Sequence, residues 1–206
     1  MSSESTDTHQ PLRGVVYPET KRVRLVPLRD VHLPILHHWR NSATFLRNCT
    51  NRRSGIDYSG FVAELNGDFR RDRHEQFVVQ RKSDGEFIGT VYSYNFNRVD
   101  AYAFITIFLQ DDKQHLGYGV DGVALLLQHL FTTRGLFKVY MEVYEYNSAV
   151  INVIKKTGVM TEEGRFRKQR LWNGERYDVV RFAIFIDSLV AINNFLSKLG
   201  QDHERG

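Results

Sequence analysis

The period of the hydrophobic positions changes several times along the chain, and those changes divide it into elements. Residues 1–19 are polar and aperiodic, the pattern of an N-terminal tail. Residues 22–27 alternate and predict a first strand. Asp30 is placed to cap a helix running to about Asn41, with Leu33, Leu36 and Trp39 on one face, and a second helix is predicted over residues 56–65. The pattern then becomes extended. Residues 75–81, 86–96 and 101–109 are rich in Val, Ile, Phe and Tyr, and Ser83-Asp84-Gly85 supplies a turn, so an antiparallel meander is expected.

A polar loop, residues 110–116, leads into a helix over residues 118–133, where Val120, Val123, Ala124, Leu127, Leu130 and Phe131 make one buried face. A strand over 137–144 and a helix over 147–156, ended by Gly158, come next. Asn173-Gly174 is a hairpin turn between strands at 164–172 and 176–186. A last amphipathic helix, residues 188–199, carries Leu189, Ile192, Phe195 and Leu196 on one side, either as a lid on the core or as a homodimer contact. The order defines an α+β fold: one domain over residues 20–186, with a central mixed, largely antiparallel sheet flanked by helices, then a C-terminal helix and tail over 187–206.

Composition narrows the function. The 206 residues are 42% hydrophobic and 25% charged, an ordinary globular balance, and no apolar run is long enough to span a membrane. The start lacks the basic and apolar regions of a signal peptide, so a cytoplasmic protein is expected. A single cysteine, Cys49, excludes an internal disulfide and a Cys-rich metal site, and none of the eight histidines has metal-ligand spacing, so no metal is expected. The net charge of +4 includes two basic clusters, Arg70/Arg71/Arg73 and Arg165/Arg167/Lys168/Arg170. Solvated surface accounts for both, and a polyanionic small molecule or an acidic partner would also suit them. No nucleic-acid motif accompanies the charge, so nucleic acid is not an expected partner.

The chemistry is carried by Gln114-His115-Leu116-Gly117-Tyr118-Gly119, between an apolar strand and an amphipathic helix. Glycines let a ligand approach the main chain, and the free amides and dipole at a helix start favour an anion such as a pyrophosphate. A P-loop is excluded because no Gly-Lys-Ser/Thr follows. Gly117, Gly119 and Gly122 satisfy G-x-G-x-x-G, with Glu142 twenty residues on, but the intervening loop and the hairpin-like strands before it do not fit a Rossmann unit.

Gln114-x-x-Gly117-x-Gly119 resembles the Q/R-x-x-G-x-G/A loop of the GNAT superfamily of N-acetyltransferases. The opening Arg24-Leu25-Val26-Pro27-Leu28-Arg29-Asp30 with Trp39-Arg40-Asn41 is similar to the branch that contains ribosomal-protein-alanine and spermidine acetyltransferases. So are Gly85-Glu86-Phe87-Ile88-Gly89, Asn147 with Lys155-Lys156-Thr157-Gly158-Val159, and the closing segments around Glu163-Gly164-Arg165 and Asn173-Gly174-Glu175. The resemblance covers about residues 21–186 and implies a GNAT-like fold with acetyl-CoA as co-substrate and an amine as acceptor. It implies that the amides of His115, Leu116, Gly117, Tyr118, Gly119 and Val120 cradle the pyrophosphate. Backbone groups of Ile107, Phe108 and Leu109 would meet the pantetheine and the thioester oxygen, and Asn147, Ile154 and Lys155 would lie near the pantetheine arm.

Three positions depart from the family's pattern. Its thiolate-protonating tyrosine falls at Ile154, a serine at Val150 and a strand carboxylate at Phe104, none of which transfers protons. Local candidates replace them: Glu142 as acceptor of the amine proton and Tyr144 as donor to the thiolate, with Tyr92 and Tyr94 as further candidates and Cys49 as a bystander. Three readings of function follow: acetylation of a primary amine on an amino sugar, polyamine or antibiotic; acetylation of a protein N-terminus or lysine; or a non-catalytic acyl-CoA-binding module.

Overall fold

A computed structural model describes residues 18–52, 54–70 and 74–201. The predicted tail through residue 17, and Arg71 and Arg73 of the first basic cluster, lie outside the described residues.

Among the described residues seven strands form one sheet: β1 (Val23–Pro27), β2 (His74–Arg81), β3 (Phe87–Asn97), β4 (Tyr102–Leu109), β5 (Lys138–Tyr144), β6 (Thr161–Trp172) and β7 (Glu175–Phe185). The spatial order is β1-β2-β3-β4-β5-β7-β6. All pairings are antiparallel except β4 with β5, which the helix between them makes parallel. The predicted meander and the hairpin at Asn173-Gly174 are both present, and the sheet is mixed and largely antiparallel as expected.

Among the described residues, six α-helices cover the two faces. On one lie α4 (Tyr118–Thr132), α5 (Ser148–Thr157) and α6 (Leu189–Gln201), packed against Val91, Ile105, Val139, Met141 and Phe182. On the other lie α1 (Leu33–Arg40), α2 (Ala43–Asn48) and α3 (Tyr58–Arg70), packed against Val78, Tyr92 and Phe108. The alternation of β5, inward at Val139, Met141 and Val143, leaves Tyr140, Glu142 and Tyr144 on the second face. Helix α6 uses Ile192, Leu189, Phe195 and Leu196 on the core, so within one chain it is a lid.

Two local expectations are corrected, and one helix was not anticipated. Asp30 does not cap α1; it lies in a 3-10 turn, and the α-helix starts at Leu33 with Pro34 in its first turn, where the missing N–H costs nothing. Helix α3 starts after Asp57, whose Oδ1 accepts the Gly60 N–H at 2.7 Å. Helix α2 had no hydrophobic repeat to reveal it, because only Phe45 is fully buried, and its readable signal was Ser42 accepting the Phe45 N–H as N-cap.

Strands β3 and β4 approach closely at Gly89, where an added Cβ would lie 2.1 Å from the Phe108 carbonyl oxygen. Gly89→Ala is therefore expected to cost about 3 kcal/mol, at the upper end for overpacking; an unchanged urea-unfolding midpoint would show that the strands can part there freely.

Candidate active site

The site begins with a fault in the sheet. Strands β4 and β5 pair only from Tyr102↔Lys138 to Ile105↔Met141. Beyond that, β4 continues with β3 as far as Leu109↔Gly89, and β5 continues with β7 as far as Tyr144↔Val179. The sheet is intact on both sides of a wedge that opens between Thr106–Leu109 and Glu142–Tyr144.

The antiparallel alternation decides which backbone groups face the wedge. Gln110 N–H bonds to the Ile88 carbonyl, so Leu109 and Gly89 form a non-hydrogen-bonded pair. Ile107 and Leu109 thus direct their N–H and C=O groups away from β3 into the wedge, whereas those of Phe108 go to β3. Of the three residues named from the resemblance, Ile107 and Leu109 turn backbone groups toward the wedge and Phe108 does not. The Ile107 carbonyl receives the Cys49 thiol at 3.5 Å, and the Leu109 carbonyl receives Gln114 Nε2 at 3.2 Å.

The loop after β4 ends in left-handed backbone at His115 (φ 62°) and Gly117 (φ 83°) and then enters α4. The first amides to turn back are those of Val120 and Asp121, both onto the Gly117 carbonyl, at 3.1 and 3.3 Å. Among the described residues, the amides of His115, Leu116, Gly117, Tyr118 and Gly119 have no protein acceptor. Five unpaired donors around left-handed turns at a helix start make an anion cradle that fits a pyrophosphate. Val120, included in the cradle by the resemblance, directs its N–H into the helix instead. Gly119 has a packing role, since a Cβ there would sit 3.6 Å from Ile107 and Leu109.

A buried ion pair holds the cradle in place, and sequence reasoning missed it. Asp121, fully buried on α4, accepts Arg22 Nε at 2.9 Å and Nη2 at 2.6 Å, and Thr20 Oγ1 at 3.2 Å. The same guanidinium donates to the carbonyls of Leu116 and Gly117, at 3.1 and 3.4 Å, so β1 is tied to the loop. The signal was Asp121 itself, a carboxylate one turn before buried Leu125 on an apolar face.

On the far side of the wedge, Glu142 and Tyr144 share one pocket with Asn51, Arg170, Arg176 and Val179. Arg181, the cross-strand partner of Glu142, donates from Nε and Nη2 to Glu142 Oε1, at 3.0 and 2.6 Å. The Tyr144 hydroxyl reaches Asn51 Oδ1 at 3.1 Å and the Thr50 carbonyl at 3.3 Å, and burial pushes its pKa up to about 12. Burial also pushes the Cys49 thiol up to about 12, so it is no thiolate nucleophile. Tyr92 is buried with its hydroxyl on the Cys49 carbonyl, and Phe104 stacks on Tyr140.

The α5 residues separate. Asn147 stands at the N-cap of α5 without a side-chain cap bond, which leaves its amide for a ligand. Ile154 is 6% exposed and packs in the core, and Lys155 is exposed. The second basic cluster divides too: Arg165 pairs with Glu162 and Asp178 at the surface, but Arg170 is buried.

A sheet parted beside an anion cradle is the architecture of an acyl-CoA-dependent acetyltransferase. The chain belongs to the acetyltransferase (GNAT) domain family, whose profile matches residues 22–160. It is 28% identical over 172 residues to spermidine N(1)-acetyltransferase of Escherichia coli (strain K12), covering 82% of this chain and 88% of that protein. It is 25% identical over 153 residues to the spermidine N(1)-acetyltransferase of Vibrio cholerae, covering 70% of this chain and 88% of the relative. The crystal structure of the Vibrio cholerae spermidine N-acetyltransferase in complex with CoA and spermine superposes with a TM-score of 0.75 at 21% identity, over 82% of this chain and 98% of that one, a likeness of fold.

Removing the charge of Asp121 would leave Arg22 half-sequestered without its partner. Asp121→Asn is expected to lower stability by about 1–3 kcal/mol, less than for a fully buried pair because Arg22 is 40% exposed. Chemical denaturation checks it, and an unchanged midpoint would make the pair a bystander.

Proposed function

We propose that the protein transfers an acetyl group from acetyl-CoA to a primary amine of a small molecule, in the wedge between β4 and β5. The observation that carries this reading is the junction of that wedge with the unpaired amides at the start of α4. Acetyl-CoA supplies an activated thioester. The amides from His115 to Gly119 hold its diphosphate, the Asn147 side chain reaches the pantetheine arm, and the wedge-facing Ile107 or Leu109 N–H polarises the thioester carbonyl. Holding both reactants in one cleft supplies much of the acceleration, since effective molarities reach about 10⁵ M or more. A fixed backbone donor at the developing oxyanion adds to it.

Glu142 and Tyr144 take the proton-handling roles in this proposal. Arg181 binds Oε1 of Glu142 and keeps the carboxylate in place; Oε2 has no partner among the described residues and is available to the ammonium proton, directly or through water. Tyr144, with its pKa pushed up to about 12, keeps its proton at neutral pH and can return one to the leaving thiolate. The relatives bring a polyamine in as a candidate acceptor, alongside an amino sugar or an antibiotic. A cytoplasmic setting, where acetyl-CoA is available, belongs to the same proposal. Acetylation of a protein N-terminus and passive acyl-CoA binding are the alternatives the assay must separate.

Thiol release from acetyl-CoA across a panel of small amines is the test: turnover is expected, and CoA binding without turnover would favour the passive module. Tyr144→Phe is expected to lower kcat about 10²-fold with little change in CoA affinity; a wild-type rate would remove Tyr144 from the mechanism. Because a group with a raised pKa stays protonated as pH rises, Tyr144 should impose no loss of activity below about pH 10. A tyrosine-dependent fall near pH 8, absent from the Phe variant, would contradict that protonation state.

A further inference from the structure

Arg170 is a buried cation that forms no ion pair among the described residues. It lies on β6, an edge strand that is otherwise mostly exposed, yet it is only 5% exposed. Between Phe166↔Val179 and Arg170↔Tyr177 the strand advances four residues while β7 advances two, a bulge of the kind that re-aims side chains beside active sites. Lys168, at φ 54°, sits in that bulge with its N–H on Asp178 Oδ1 at 2.9 Å. The Arg170 guanidinium is 4.5 Å from the Tyr144 ring centroid and 5.2 Å from that of Trp172. Its Nη2 donates to the carbonyls of Leu46 and Arg47, at 3.0 and 3.4 Å. Its Nε is buried and has no hydrogen-bond partner among the described residues.

Those carbonyls and rings ease the burial of the guanidinium but do not neutralise it, and arginine cannot lose its proton at ordinary pH. The pocket that Arg170 lines contains Arg176 and one carboxylate, Glu142, which is already bonded to Arg181. The arginines of the preceding helices add nothing unpaired to it, since Arg40 and Arg52 share Glu64 and Arg47 lies over the Tyr146 ring. A polyamine would place ammonium groups against Arg170 and Arg176. An amine that also carries an anion would complete the site.

We infer that the acceptor is an amine bearing a carboxylate or phosphate group, and that Arg170 binds that acidic group while the amine points toward Glu142. This rests on the amine-acetylation reading and narrows its acceptor. Arg170 offers a planar fork suited to either anion, and exposed Arg176 stands at the rim.

The experiment uses the full chain with four probes, β-alanine, phosphoethanolamine, ethylamine and spermidine, each titrated calorimetrically with CoA present and each tested in the thiol-release assay. One acidic amine is expected to exceed ethylamine and spermidine by about tenfold or more in kcat/KM and in affinity, and the better of the two identifies the anion. Arg170→Gln should raise the KM for that amine about tenfold, with kcat and CoA affinity changed less than about threefold, and Arg170→Lys should recover part of the loss. Arg176→Gln, at an exposed position, should raise the same KM by a smaller factor. Spermidine as the best acceptor, or an acidic-amine preference unchanged in both glutamine variants, would overturn the inference. If acidic amines bind in an Arg170-dependent way but none is acetylated, the transfer reading falls and the acidic subsite stands. If they neither bind nor react, the subsite falls.

Discussion

The arrangement of this molecule depends on the early parting of two parallel strands. Because β4 and β5 pair over only four positions, the backbone of Ile107 and Leu109 faces the wedge rather than a neighbouring strand, where side chains of Cys49 and Gln114 meet the two carbonyls and no strand meets the N–H groups. In most sheets such unpaired groups would be a liability. Here they line a cleft whose other end meets the unpaired amides at the start of α4, and the two sets of donors lie along one path. A thioester-bearing cofactor with a diphosphate at its far end matches that path in both the position and the kind of group required. The remaining elements keep the path rigid: Gly89 and Gly122 bring β3, β4 and α4 into close contact, and the Arg22–Asp121 pair ties β1 to the loop.

The charge distribution separates the two halves of the cleft. On the cofactor side, the cations near the loop are matched: Arg22 by Asp121, Arg81 by Asp84 and Glu86, and Lys113 by Asp112 and Glu86. In the proposed binding mode the grip on a diphosphate falls to backbone dipoles, which need no proton and lose little to salt. In the pocket beside Glu142 and Tyr144 the balance is reversed: Arg170, buried and without an ion pair among the described residues, and Arg176 stand beside one carboxylate that Arg181 already binds. The fold fixes the reaction, and the acceptor side sets its specificity. The chain shares a fold and about a quarter of its aligned residues with spermidine acetyltransferases, and in its own pocket Arg170 and Arg176 stand beside Glu142.

Most of the sheet was legible in the sequence because its strands are long, β-branched and bounded by turn residues, and because α4 follows one apolar stripe from Ala124 to Phe131. The cradle was legible for a local reason: glycines and a helix start lie within six residues of each other. What was hidden depends on distance along the chain. Arg22 and Asp121 are 99 positions apart, and Glu142 and Arg181 are 39 apart. Arg170 read as one more surface cation in a basic run, because the bulge that turns it inward has no hydrophobic signature. The placement of Phe108's backbone on β3 rather than in the wedge likewise follows from pairing phase, which a single strand cannot reveal.

Hydrogen exchange at single-amide resolution, with and without acetyl-CoA, reads out which amides the cofactor occupies. The cofactor should slow exchange at the amides of residues 115–119 and at Ile107 and Leu109 together, while Val120 and Phe108, already bonded within the protein, change little. Protection of some other surface, with exchange at those seven amides unaltered, would contradict the account.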